Sequence, residues 1–163
     1  MAKKASAPKR AKNKDKTIAP RILIVEGRYY QHIADALLEG ALRVLGDSGA
    51  AYDVLTVPGA LEVPPAIVIA LEAARQKRAP YDGVVALGCV IQGQTYHFDL
   101  VSNESARGLM DIAIAQQIPL GNGILTVDTE AQAQARSTSE RNKGAEAARA
   151  ALTMLALKRS LGA

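Results

Sequence analysis

The segment Gly93-Gln94-Thr95-Tyr96-His97 sets a glycine, a hydroxyl and an imidazole side by side, just past an apolar run. A glycine turn that opens a helix directs backbone N–H groups and the positive end of the helix dipole outward, which suits a phosphate. Thr95 could add a hydroxyl. His97 beside such an anion would titrate near working pH and could move protons. An ordinary strand-to-helix turn fits the same residues, and a lone histidine at a helix start is often only structural. Neither a GxxxxGK[ST] P-loop nor a GxGxxG fingerprint is present.

Other chemistry-bearing residues are scattered. Glu62, in "VPGALEVPPA", follows a Pro–Gly turn and precedes a proline-led helix. Its carboxylate could accept hydrogen bonds from substrate hydroxyls or amides, or could simply complement a helix dipole. Arg136 and Lys143 flank the polar stretch "STSERN" and could bind an anion together, although charges between helices are commonly just solvated. Cys89, the only cysteine, sits inside an apolar strand and reads as core, and His32 reads as exposed. Two histidines and one cysteine do not make a structural zinc set, and no GxSxG nucleophile elbow occurs.

The elements that must position these residues alternate in type. "RILIVE" (Arg21–Glu26), "YDVLTV", "YDGVVALGCVI" and "IPLGNGILTV" read as strands. Between them, "IADALLEGALRVLGDSG", "AIVIALEAARQK" and a segment from about Ser102 to Gln117 carry helical spacing; "EAQAQAR" and "NKGAEAARAALTMLALKRSL" close the chain as helices. Strands alternating with helices predict right-handed crossovers and a three-layer α/β/α sandwich, with a doubly wound, four-stranded parallel sheet of flavodoxin-like type. Ligands of such sheets lie beyond the carboxyl ends of the strands. Gly27–Tyr30, Pro58–Glu62, Gly93–His97 and Gly121–Asn122 all fall there, so they should converge.

Charge is uneven along the 163 residues. Residues 1–16 hold seven Lys/Arg against Asp15 alone, and the remaining 147 residues carry 13 basic and 15 acidic side chains. The net +4 therefore belongs to a basic tail, expected to be disordered over residues 1–17, ahead of one α/β domain over 18–163. Basic tails bind nucleic acid or anionic surfaces, yet often serve solubility alone, and nucleic acid is not the partner expected here. The tail lacks the apolar stretch of a signal peptide, and no apolar run has membrane-spanning length. A single cysteine suits a reducing cytoplasm.

Taken in order, the motifs resemble the lumazine synthase (6,7-dimethyl-8-ribityllumazine synthase) family. "VPGALEVP" is similar to its VPGAxExP, "LGCVIQGQTYHFD" to GxVIxGxTxHF, and "NGILTVDTEAQAQAR...NKGAEAA" to GxLTxxTxxQAxxR...NKGxEAA. The resemblance covers the chain from about Arg21 onward. It implies condensation of 5-amino-6-(D-ribitylamino)uracil with 3,4-dihydroxy-2-butanone 4-phosphate, the penultimate step of riboflavin biosynthesis, with no metal or organic cofactor. By position, it implies that Gly93, Gln94, Thr95 and Arg136 bind the phosphate and that His97 shuttles protons. Glu62 would hold ribityl hydroxyls, Ala60, Leu61, Val90 and Ile91 would line the pocket, and Tyr29 would stack on the heterocycle. Lys143 would reach toward the substrate. The family builds its site between neighbours in a homopentamer, so Asn122, Arg136 and Lys143 would come from the adjacent subunit. Some members join twelve pentamers into a shell, and the segment between Arg136 and Lys143 lies near the region that influences this choice.

Four departures touch the pocket. Tyr29–Tyr30 stands where Phe–Asn is common, Leu61 where Phe is frequent, Gln92 where Arg is frequent, and Asn122 where an aromatic often covers the heterocycle. Loss of that ring implies weaker pyrimidine binding by about 0.5–1.5 kcal/mol. The alternative reading keeps the fold without catalysis, as a paralogue that binds lumazine or flavin or forms a shell.

Overall fold

The computed structural model describes residues 18–138 and 141–163; the expected basic tail lies outside them. Its elements are β1 (Arg21–Gly27), α1 (Gln31–Asp47), β2 (Ala51–Val57), a 3₁₀ turn (Ala60–Glu62), α2 (Val63–Gln76) and β3 (Gly83–Ile91). They continue as α3 (His97–Ala115), β4 (Leu120–Val127), α4 (Glu130–Ser137) and α5 (Lys143–Ser160). All strands pair in parallel in the order β2-β1-β3-β4. The doubly wound expectation therefore holds.

The strands read as they do because both faces of the two central ones are covered. Ile22 and Ile24 of β1 and Val85 and Leu87 of β3 meet α1 and α5 through Ile33, Leu37, Leu45 and Leu155. Alternate residues Leu23, Val25, Val84 and Ala86 meet α2 and α3 through Val63, Ile67, Leu71, Leu109 and Ile112. Each fully buried aliphatic side chain contributes roughly 1.5–3 kcal/mol before the cost of ordering it. Helix α5 presents Ala147, Ala148 and Ala151 to this core, and such small residues allow close backbone approach. A Cβ on Gly121 of β4 would stand 1.9 Å from the Ala147 carbonyl oxygen. Asn142 caps α5: its Oδ1 accepts from Ala145 N–H at 2.9 Å, and its amide donates to the Ala36 carbonyl of α1 at 2.7 Å.

Helix α3 starts at His97, about five residues before the start near Ser102 that the spacing predicts, and buries Val101, Ser105, Leu109 and Ile112. Apart from half-buried Phe98, the first turn is exposed and so carries no apolar period. Edge strand β2 is uncovered: Tyr52, Val54 and Leu55 are all exposed.

The end of β1 has one close contact that packing alone would not demand. A Cβ on Gly27 would lie 2.7 Å from the Gly59 carbonyl carbon, so the two backbones touch. Gly27→Ala should therefore lower the unfolding free energy by about 1–3 kcal/mol in urea denaturation. Gly46→Ala, in α1 with nothing within 4 Å of the added methyl, should be neutral or stabilise by up to about 1 kcal/mol. Equal effects of the two changes would remove the close contact from the account.

Candidate active site

The strand order reverses between β1 and β3, since β1 leads to β2 on one side and α2 carries the chain back to β3 on the other. Ligands of doubly wound sheets sit in the crevice at such a point. There the structure opens a pocket of about 440 Å³, walled by Tyr29 and Tyr30 after β1 and by Pro58 to Glu62 after β2. Cys89, Val90 and Ile91 of β3 form its floor, and Gly93, Thr95, His97, Phe98 and Val101 complete it.

Each wall has a local cause. Pro58 and Gly59 end β2, and the 3₁₀ turn that follows feeds α2, whose Pro64 suits a helix start. Glu62 stands at the N-cap position of that helix without a side-chain capping bond, and its carboxylate turns back toward Gly59, with Oε2 3.3 Å from where a Gly59 methyl would be. Thr95 Oγ1 accepts the His97 N–H at 3.4 Å, which leaves the threonine proton free to donate outward. The first-turn amides of α3 have no intrahelical acceptor and face the same end of the sheet. Gly93 has no left-handed backbone, and a methyl there would meet nothing within 4 Å. The fold does not need a glycine at this position, so the open space beside it is available to a ligand.

The aromatic wall is ordered by contact. The rings of Tyr29 and Tyr30 meet edge to face, 4.9 Å between centroids and 71° between planes. Tyr29 is exposed, while Tyr30 packs half-buried on the α1-side core. Burial, with Tyr29, Cys89 and Glu130 adding to it, raises the Tyr30 phenol above its ordinary value. Just behind the pair, the Arg28 guanidinium is raised by its bond to Asp35 and further by Glu26. Among the described residues, no group of three or more His, Cys, Asp and Glu is placed to hold a metal ion.

The sequence-predicted residues separate into two groups. Tyr29, Ala60, Leu61, Glu62, Val90, Ile91, Gly93, Thr95 and His97 converge on the pocket, with exposed Gln94 between two of its lining residues. Asn122, Arg136 and Lys143 do not line it. Asn122 lies along edge strand β4, opposite Ala86, with Oδ1 accepting the Ile124 N–H at 2.9 Å. Arg136 ends α4 and donates to the Gln132 carbonyl at 3.1 Å. Lys143 opens α5 and pairs with Glu146.

A family model described as 6,7-dimethyl-8-ribityllumazine synthase matches residues 19–159. The chain belongs to the 6,7-dimethyl-8-ribityllumazine synthase family. Among proteins so named, that of Nitrobacter hamburgensis is 60% identical over 156 residues, 94% of this chain and 96% of the relative. That of Agrobacterium fabrum is 60% identical over 144 residues, covering 88% and 97%. That of Azorhizobium caulinodans is 62% identical over 140 residues, covering 85% and 86%.

Within this pocket, Cys89, Phe98 and Val101 are lining residues that the sequence motifs do not assign. Val101 follows Phe98 by three positions and His97 by four, the helical offsets that bring side chains onto one face, and Phe98 is the chain's only phenylalanine. Cys89 is buried, as its place in an apolar strand predicts, yet it also faces the cavity. Burial, with the Glu130 charge adding to it, pushes its thiol up to about 11 from the ordinary 9.0. The nucleophile is the thiolate, so at pH 8 only about one Cys89 in a thousand is reactive, against about one in ten for an unperturbed thiol. Iodoacetamide should thus alkylate Cys89 roughly a hundredfold more slowly at pH 8 than a small free thiol, the rate climbing until about pH 11. Rapid alkylation at pH 8 would contradict the burial assigned to this side chain.

Proposed function

We propose that the chain is a transferase that condenses 5-amino-6-(D-ribitylamino)uracil with 3,4-dihydroxy-2-butanone 4-phosphate. The products are 6,7-dimethyl-8-ribityllumazine, phosphate and water, the penultimate step of riboflavin biosynthesis. The observation that carries this reading is the convergence of Glu62, Gly93, Thr95 and His97 on one pocket of a chain in this family.

The phosphate ester binds at Gly93, Gln94 and Thr95, where loop amides, a free hydroxyl and the positive end of α3 favour an anion. His97 is the proton shuttle. It takes up and returns protons as the uracil amine adds to the ketone, as water leaves the resulting carbinolamine to give the imine, as phosphate is eliminated, and as ring closure by the ribitylamino nitrogen releases a second water. Glu62 accepts hydrogen bonds from the ribityl hydroxyls, Tyr29 stacks on the pyrimidine, and Ala60, Leu61, Val90 and Ile91 exclude water around it. Holding both substrates on one floor replaces a bimolecular encounter by a local one.

The site is completed by a neighbouring copy in a homopentamer, which brings Arg136 to the phosphate and Asn122 and Lys143 to the pyrimidine side. Two observations support this. All three residues lie away from the pocket of their own chain, and edge strand β2 leaves Tyr52, Val54 and Leu55 uncovered, a surface that natural edge strands usually protect. The partners are small-molecule substrates and further copies of this chain, and the place of work is the cytoplasm, where an unpaired cysteine is ordinary. No helix among the described residues is long and apolar enough to cross a membrane.

Lumazine formation from the purified protein and both substrates, read by absorbance over the uncatalysed reaction, tests this directly. His97→Ala should lower kcat by about 10²–10⁴ while binding of the phosphate ester stays near wild type. Gly93→Ala should leave the melting temperature unchanged and raise KM for the phosphate ester about tenfold, because its methyl would occupy the space given to the anion. Unchanged turnover in His97→Ala rejects its role, and absent turnover from folded wild type rejects the reaction.

A further inference from the structure

A buried carboxylate stands behind the aromatic wall with no part in the chemistry so far. Glu26, the last residue but one of β1, is 3% exposed, on the sheet face covered by α1. Leaving an ion there without partners would cost several kcal/mol, so its contacts are informative. Both oxygens accept from Arg28 Nη1, at 3.2 and 3.1 Å, and Oε1 also accepts the Thr56 hydroxyl of β2 at 2.9 Å. The other arm of the guanidinium, Nη2, donates to Asp35 in the second turn of α1. Arg28 N–H meanwhile donates to the Val57 carbonyl at 3.1 Å, extending the β1–β2 ladder by one step.

Arg28 thus spans a corner. One end of its fork is fixed to β1 and β2 and the other to α1, and the residues bridged over are Tyr29 and Tyr30. Those two rings touch each other, Tyr29 is 74% exposed, and Tyr30 adopts the extended backbone that starts α1. An exposed ring on a two-residue turn has little of its own to hold it. A planar guanidinium between two carboxylates is stiff and always charged, so it can fix the geometry of the turn from behind.

We propose that Glu26, Arg28 and Asp35 form a clasp that positions the Tyr29–Tyr30 pair, and thereby sets affinity for the heterocyclic substrate rather than for the phosphate ester. The clasp touches no substrate; these are positioning residues, and the substrate half of the inference rests on the reaction proposed above. Thr56 locks the Glu26 carboxylate in place.

The test uses Asp35→Asn, Asp35→Glu and Glu26→Gln in the full chain. Asp35 is 69% exposed, so its variants should fold even where Glu26→Gln, altered inside the core, does not. In Asp35→Asn, KM for the ribitylaminouracil should rise about three- to tenfold, with kcat and KM for the phosphate ester within about twofold. Asp35→Glu, which keeps a carboxylate within reach, should restore most of the loss. Fluorine NMR of fluorotyrosine-labelled protein without substrates gives the second reading. The Tyr29 and Tyr30 signals should shift in Asp35→Asn, and those of Tyr81 and Tyr96 should not. Unmoved Tyr29 and Tyr30 signals overturn the clasp, as does an equal rise in both KM values. If wild type formed no lumazine, the assigned reaction would fall, and the NMR comparison would still decide whether the clasp exists.

Discussion

Two backbones touching at Gly27 and Gly59 set the shape of everything above the sheet. At 2.7 Å from the Gly59 carbonyl carbon, the missing Cβ of Gly27 lets the loop after β2 fold against the end of β1. Ala60 then reaches the β3 side, where it packs with Val90 and Val101. A side chain at Gly27 would push this loop outward, and with it the turn that carries Leu61 and Glu62. Because the strand order reverses at the same point, the contact shapes the one crevice that a doubly wound sheet leaves for a ligand.

The rest of the molecule holds that crevice steady and leaves its outer side unfinished. β1 and β3 are covered on both faces, and α5 is drawn onto the sheet by its alanines and by the Asn142 cap. The floor residues Val90 and Ile91 therefore sit at the end of a rigid strand, which suits a surface that holds two molecules in register. The exposed edges are different in kind. β2 presents apolar side chains to the outside, and Asn122, Arg136 and Lys143 occupy a strand and helix ends away from the cavity. These uncovered edges, and the distance of the three residues from the cavity, are what the proposed sharing of the site between copies rests on.

Much of this was legible in the sequence, for reasons that differ by residue. The strands could be read because apolar runs such as "GVVALGCVI" have no polar face, the mark of a buried parallel strand. His97, Thr95 and Glu62 could be placed because each follows a strand end, and topology gathers strand ends at one side. The start of α3 was not legible, since its first turn is mostly exposed and carries no apolar period. The clasp was hidden as well. Glu26 reads as an ordinary strand-end acid, and its tie to Thr56 and that of Arg28 to Asp35 depend on register and crossover geometry. Cys89 shows a similar limit, because a strand residue can belong to the core and to the cavity wall together.

A site built from two copies is tested most directly by mixing two crippled ones. His97→Ala and Arg136→Ala chains would be dissociated, combined in equal amounts and reassembled, and lumazine formation compared with each parent alone. Where neighbouring copies share the site, random mixing leaves about one site in four with both His97 and Arg136 intact, and activity should reappear toward that fraction of wild type. Activity no greater than the mean of the two parents, in properly reassembled material, would contradict a site shared between subunits.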